Sequence, residues 1–119
     1  MTGWTISFYC EQNTGTSSVQ CWLDERNTHQ LKAIAKELKL LQLCGNTLRL
    51  PHSKALGESL FELRERSYGY RIYYTYSRSQ NIILLEAGNK STQRKDIKIA
   101  RERLLKVSEK EKRDETEKI

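Results

Sequence analysis

The amino-acid sequence predicts an α+β domain, in the order strand, two helices, three antiparallel strands, helix. Three observations carry that reading. Two stretches in the first half and one near the end repeat apolar residues at steps of three and four. Three runs between residues 60 and 88 are rich in apolar, β-branched and aromatic residues and are separated by short turns. A chain of 119 residues is one domain's worth, long enough to bury a core without disulfides or metals.

Trp4 to Cys10 reads WTISFYC, a first strand, and the polar segment Glu11 to Ser18 turns around Gly15. Ser17 or Ser18 can cap a helix beginning near Val19, whose Val19, Trp22 and Leu23 face a core. Asn27 or Thr28 either kinks this segment or separates it from a second helix. There Leu31, Ile34, Ala35, Leu38, Leu41 and Leu40 form an apolar stripe, with Lys32, Lys36, Glu37 and Lys39 between them and Gly45 as the stop. The stripe reads as core rather than as a groove for a partner. Residues 46–57, with the only proline, Pro51, read as a loop.

LFELRER (60–66), YRIYYTYS (70–77) and NIILLEAG (81–88) are the three strands. Short connections make successive strands antiparallel neighbours. The third is apolar from Ile82 to Leu85 and should be covered on both faces. A helix from Gln93 to about Val107, capped by Ser91 or Thr92, presents Ile97, Ala100, Leu104 and Val107. Leu31, Ile34, Leu38, Phe61, Leu63, Ile72, Tyr74 and Leu85 are the expected core. The domain should span residues 1–107, followed by a charged, frayed or disordered tail over 108–119.

The net charge is +6 and the pI about 9.3. Residues 108–119 hold four basic and five acidic residues, a balance of −1, so the body carries +7. A small domain this basic commonly meets a polyanion. The three cysteines are odd in number and show no CxxC spacing, and the two histidines lie far apart, so zinc is not expected and buried thiols are. No apolar stretch approaches the ~20 residues that span a bilayer, and the first residues lack a signal-peptide pattern. The expected compartment is the cytoplasm. No phosphate loop, dinucleotide motif or nucleophile elbow is present, and no cofactor is expected.

Strand alternation brings a cationic set together. Leu60, Glu62, Arg64 and Arg66 share one face of the first hairpin strand, and Arg71, Tyr73 and Thr75 share one face of the second. Lys90 follows the third strand. If the faces coincide, two guanidiniums lie side by side with Lys90 at their edge and Glu62 to neutralise part of the charge. Such a set reads either as a phosphate site, for which the planar guanidinium fork is suited, or as a solvated sheet face with ion pairs worth about 0–1 kcal/mol each. Tyr73 reads either as a base-stacking ring or as packing.

The segments LPHSKALGESLFELRERSYGYRIYYTY and NIILLEAGNKSTQRKDIKIARERL resemble the RelE/ParE toxin superfamily, and most of all its HigB-like, phage Gp49-like branch. The carrying motifs are Pro51/Lys54/Leu56, Leu60–Arg64, Tyr70–Tyr74, Ile82–Lys90 and Thr92–Gln93, with Phe8-Tyr9 and Val19/Trp22/Leu23 before them. The resemblance spans residues 4–107. It implies a RelE-like fold and the toxin of a type II toxin–antitoxin pair, a metal-independent endoribonuclease that cuts messenger RNA on the ribosome. Arg64, Arg71 and Lys90 correspond to the family's basic site residues, and Glu62 either orients Arg64 or accepts a proton. Lys54, Arg66, Tyr73, Arg94 and Lys95 are the candidate RNA-binding residues. The implied partners are a cognate antitoxin of helix-turn-helix type, the ribosome with its mRNA, and operator DNA only through the antitoxin; no membrane is implied.

Two departures from the branch stand out. The tyrosine or histidine that several relatives carry near the C-terminus has no counterpart in residues 94–119, and the frequent Lys-Lys pair is Asn89-Lys90. The general acid or base is thus unassigned. A ParE-like gyrase-binding toxin and a degenerate module that only binds its antitoxin remain alternatives on the same fold.

Overall fold

The computed structural model describes residues 3–117. The elements are β1 (Thr5–Phe8), α1 (Ser18–Asp24), α2 (Thr28–Cys44), β2 (Ser53–Gly57), β3 (Leu60–Glu65), β4 (Tyr70–Ser77), β5 (Asn81–Asn89) and α3 (Gln93–Glu117). They build one five-stranded sheet in the order β1-β5-β4-β3-β2. β2 through β5 are antiparallel neighbours, and β1 returns to pair parallel with β5.

The two sheet faces carry separate cores. On one, Leu63, Ile72, Tyr74, Ile82 and Leu84 meet Val19 of α1 and Ile34 and Leu41 of α2. On the other, Leu60, Tyr73 and Leu85 meet Ala100 of α3, with Ile97, Leu104 and Val107 beside it. β5 is therefore covered on both sides, as its apolar run requires. Ser17 caps α1, and Asn27 closes a capping box with Gln30, so the break near residue 27 is a true turn between two helices. Gly45 ends α2 at φ 53° with its Cα against the Trp4 indole, leaving no room for a side chain.

Several expectations fail for physical reasons. Residues 53–57, part of the expected 46–57 loop, are recruited by β3 as an edge strand, Ser53 opposite Leu63 and Lys54 opposite Glu62. The sheet thus has four strands after α2, not three. Leu31 is 39% exposed, because α2 begins its burial a turn later, at Ile34. Leu38 and Phe61 are half-buried. The cysteines are not buried thiols: Cys10 and Cys21 are exposed and Cys44 is half-buried. The N-cap before α3 is Asn89, whose side chain accepts from the Ser91 and Thr92 N–H groups of a single 3-10 turn. The expected frayed tail is helical as far as Glu117, held at the β4–β5 turn by Ser77 and Arg78 on Glu111 and by Arg78 on Glu115 at 3.3 Å. Residues 118–119 lie outside the described part.

Candidate functional site

The register makes the cationic set a fact of geometry. Arg64 of β3 lies directly opposite Arg71 of β4, and Arg71 lies opposite Gly88 of β5. Like charges in such a pair repel. One row away, Glu62 is 0% exposed and accepts from Arg64 Nε at 2.8 Å and from Gln93 Nε2 at 2.8 Å. Arg71 Nε is 3.5 Å from the same carboxylate, an ion pair without a hydrogen bond. One buried negative charge therefore orients two guanidiniums, and the balance is positive.

Gly88 explains how Gln93 reaches that carboxylate. A Cβ at position 88 would collide with the Asp96 carboxylate and the Thr92 hydroxyl. The first turn of α3 can rest on β5 only because that side chain is missing, and Gln93 is then brought over Glu62. Asp96 is buried and accepts from the Thr92 hydroxyl at 2.6 Å. Burial pushes its carboxyl above the usual range, the Thr92 hydrogen bond opposes this, and the nearby Glu86 charge adds to it.

Arg64, Arg66, Arg71 and Lys90 line one open cleft of about 290 Å³, together with Pro51, Glu65, Gly69 and Tyr70. The Arg64 and Arg71 side chains are 29% and 17% exposed, enough for their outer nitrogens to meet a ligand. Lys54 is exposed on β2 across from Glu62, and Arg94 and Lys95 are exposed on the first turn of α3; none of the three lines the cleft. Tyr73 corrects a sequence expectation. It is fully buried under α3 and offers no face to a base. Burial, then the negative charges of Glu62 and Asp96, push its phenol well above the usual range, so it stays neutral. Among the described residues no group of three or more His, Cys, Asp or Glu side chains is placed to hold a metal ion.

The model of one family, phage-derived protein Gp49-like (DUF891), matches residues 21–105, well over half of the chain. The chain belongs to the Gp49-like family. An uncharacterized protein of Haemophilus influenzae is 38% identical over 88 residues, which is 72% of this chain and 85% of that one. The crystal structure of the isolated E. coli RelE toxin superposes with a TM-score of 0.51 at 16% identity, covering 72% of this chain and 83% of that one. A double arginine-to-alanine mutant of E. coli toxin RelE in the free state gives 0.54 at 15% identity, covering 82% and 97%. At such identities the superpositions establish a RelE-like fold, and this Gp49-like chain has it.

Some contributors were not legible beforehand. Gln93 stood in the sequence only as part of a motif, with nothing to say that it reaches Glu62 across 31 positions. Glu65 is buried and accepts from the Ser67 and Tyr68 N–H groups at 2.7 and 2.8 Å, fixing the β3–β4 turn that forms one wall of the cleft. A Glu in a strand face carries no sequence mark that separates this role from solvation. His52, beside Pro51, is paired with Glu37 of α2 at 2.9 Å.

Proposed function

We propose that this Gp49-like protein is the toxin of a type II toxin–antitoxin pair and acts as a ribosome-dependent endoribonuclease on messenger RNA. The observation that carries the reading is the charge imbalance at the cleft. Two arginines face each other across β3 and β4, one buried carboxylate serves both, and Arg66 and Lys90 add to the surplus. Uncompensated guanidiniums at an open cleft suit an anion with several oxygens. A phosphodiester is such an anion, and RNA supplies its own nucleophile.

In the proposed reaction the 2′-oxygen bonds to the adjacent phosphorus as its proton leaves. The bond from phosphorus to the 5′-oxygen then breaks and that oxygen gains a proton. The products are a 2′,3′-cyclic phosphate and a 5′-hydroxyl. Arg71 stabilises the added negative charge of the pentacoordinate phosphorus, Arg64 flanks it, and Lys90 contacts the scissile phosphate or the leaving oxygen. Donors aimed at charge that develops only in the transition state lower the barrier rather than tighten binding. Glu62, with both oxygens engaged, serves as the orienting group and not as the base. Arg66, Lys54, Arg94 and Lys95 guide the RNA strand. The partner that silences this site is a cognate antitoxin of helix-turn-helix type, whose acidic segment covers the +7 body and which alone contacts operator DNA. The setting is the cytoplasm.

The test is cleavage of mRNA on programmed ribosomes, with chelator at a level that leaves the ribosomes intact. Wild type should yield the cyclic phosphate, and Arg71→Ala and Arg64→Ala should be slowed. Full activity in Arg71→Ala would overturn the assignment. Growth arrest without RNA ends, coupled to gyrase inhibition, would favour a gyrase-directed toxin. Antitoxin binding with neither activity would mark a degenerate module.

A further inference from the structure

One buried donor at the cleft goes unsatisfied although an acceptor suited to it lies at hand. Arg71 Nε is buried and, among the described residues, has no hydrogen-bond partner, while Glu62 Oε2 lies 3.5 Å away. A charge-assisted hydrogen bond is roughly twice as strong as a neutral one, so a carboxylate oxygen favours a guanidinium over an amide. Yet Oε2 accepts from the neutral Gln93 amide at 2.8 Å, and Oε1 is taken by Arg64 Nε. The Tyr73 hydroxyl, on the residue opposite Glu62 in register, also lacks a partner. A buried donor left unpaired is costly and calls for a reason.

The backbone around Gln93 enforces this choice. Gln93 follows a 3-10 turn that Asn89 caps, and its own N–H bonds to the Lys90 carbonyl. The Thr92 hydroxyl is tied to Asp96, and the missing side chain of Gly88 lets the turn rest on β5. Gln93 is thus presented to Glu62 from a held position, and its amide leaves the charge balance of the cleft unaltered. From this geometry we propose that Gln93 is a positioning residue for Arg71. By occupying Glu62 Oε2 it keeps Arg71 and Glu62 from closing into a hydrogen-bonded ion pair, and so reserves the Arg71 charge for the phosphate. Arg64 is the guanidinium tied to Glu62, and Arg71 is the one kept available. The same turn begins with Lys90, which lines the cleft, so the seating of α3 sets both cations. The proposal rests on the nuclease reading.

A residue that frees a transition-state donor should act on the maximal rate and leave the half-saturating concentration near that of wild type. The first measurement is single-turnover cleavage on programmed ribosomes by wild type, Gln93→Met, Gln93→Ala, Glu62→Gln, the Glu62→Gln/Gln93→Met double variant and Arg71→Ala. Gln93→Met keeps the bulk of the side chain and removes the donor. It should lower the maximal rate roughly tenfold or more, short of the ~10²–10³-fold of a donor lost outright, and Gln93→Ala should do the same. In the Glu62→Gln background no carboxylate draws Arg71 in, so Gln93→Met should change the rate by less than about twofold. The second measurement is the Arg71 Nε–H resonance of the RNA-free protein, identified by its loss in Arg71→Ala. Gln93→Met should move it downfield, as a new hydrogen bond to a carboxylate requires, and the double variant should not. An unmoved resonance, or a loss confined to the half-saturating concentration, would overturn the proposal. Equal rate losses in both backgrounds would also overturn it and leave Gln93 only an anchor for α3. In each of these cases Arg71→Ala still reports on the nuclease reading. Full activity of Arg71→Ala, or no cleavage by wild type, would overturn both.

Discussion

Glu62 and Glu86 flank Tyr73 in a single row across the sheet, and both are buried beneath α3, yet their surroundings differ in sign. Glu86 accepts from the Ser18 hydroxyl at 3.0 Å and the Ala87 N–H at 3.1 Å and pairs with Arg103 at 3.4 Å. Arg103 is itself held on several sides: Nη1 donates to the Ser18 hydroxyl and the Leu85 carbonyl at 2.7 Å each, Nε lies 3.4 Å from Glu11, and the guanidinium lies over the Tyr9 ring. One cation there answers two carboxylates. At Glu62 one carboxylate answers two cations, and Arg71 Nε is left without a hydrogen bond. A buried carboxylate thus does not mark function in itself. A closed network locks α3 to the sheet, and an open one leaves surplus positive charge, which under the proposed function meets an RNA phosphate.

The comparison is broken most decisively by removing one arginine from each region. Arg71→Ala should lower the cleavage rate ~10²–10³-fold with little change in unfolding free energy, since it also relieves a like-charge contact. Arg103→Ala should do the reverse. Leaving Glu86 buried without its cation should cost about 3 kcal/mol of stability, with the rate per folded molecule retained. Denaturant unfolding alongside single-turnover cleavage separates the two, and equal loss of both properties in both variants would erase the distinction.

The carboxylates sharpen it next. Glu62→Gln removes the charge that holds two guanidiniums together and should cost about 2 kcal/mol. Sulfate should restore much of that loss by occupying the cleft of the folded state. Glu86→Gln should be destabilised without recovery by sulfate, as read from thermal melts with and without the anion.

A smaller effect belongs to Asp96, between the two regions. Its folded carboxyl titrates above the ordinary value of 3.8, so the folded state binds more protons than the unfolded chain in the window between the two. The associated stability is complete below 3.8 and is lost as pH rises through the folded value. Asp96→Asn should flatten that part of the stability profile, measured by denaturant unfolding from acid to neutral pH. The smallest effect is expected far from both clusters. Arg78→Ala frees the end of α3 from the β4–β5 turn at exposed contacts and should cost less than about 1 kcal/mol, seen as faster amide exchange beyond Val107.

Local chemistry alone determined much of this protein. The helical steps of Ile34, Leu38 and Leu41, the caps at Ser17 and Asn27, and the alternation in 60–66 and 70–77 are short-range properties, and the sheet face of Arg64 and Arg71 follows from a period of two. Only tertiary packing decided the rest. Pairing with β3 turned SKALG into an edge strand, and parallel pairing with β5 placed β1. The docking of α3 over Gly88 buried Tyr73 and brought Gln93 to Glu62. The helix continues through the charged tail to Glu117, anchored on the way by Ser77 and Arg78 at Glu111. Those outcomes depend on contacts between residues tens of positions apart, where a side chain's fate is set by what covers it and not by its neighbours in sequence.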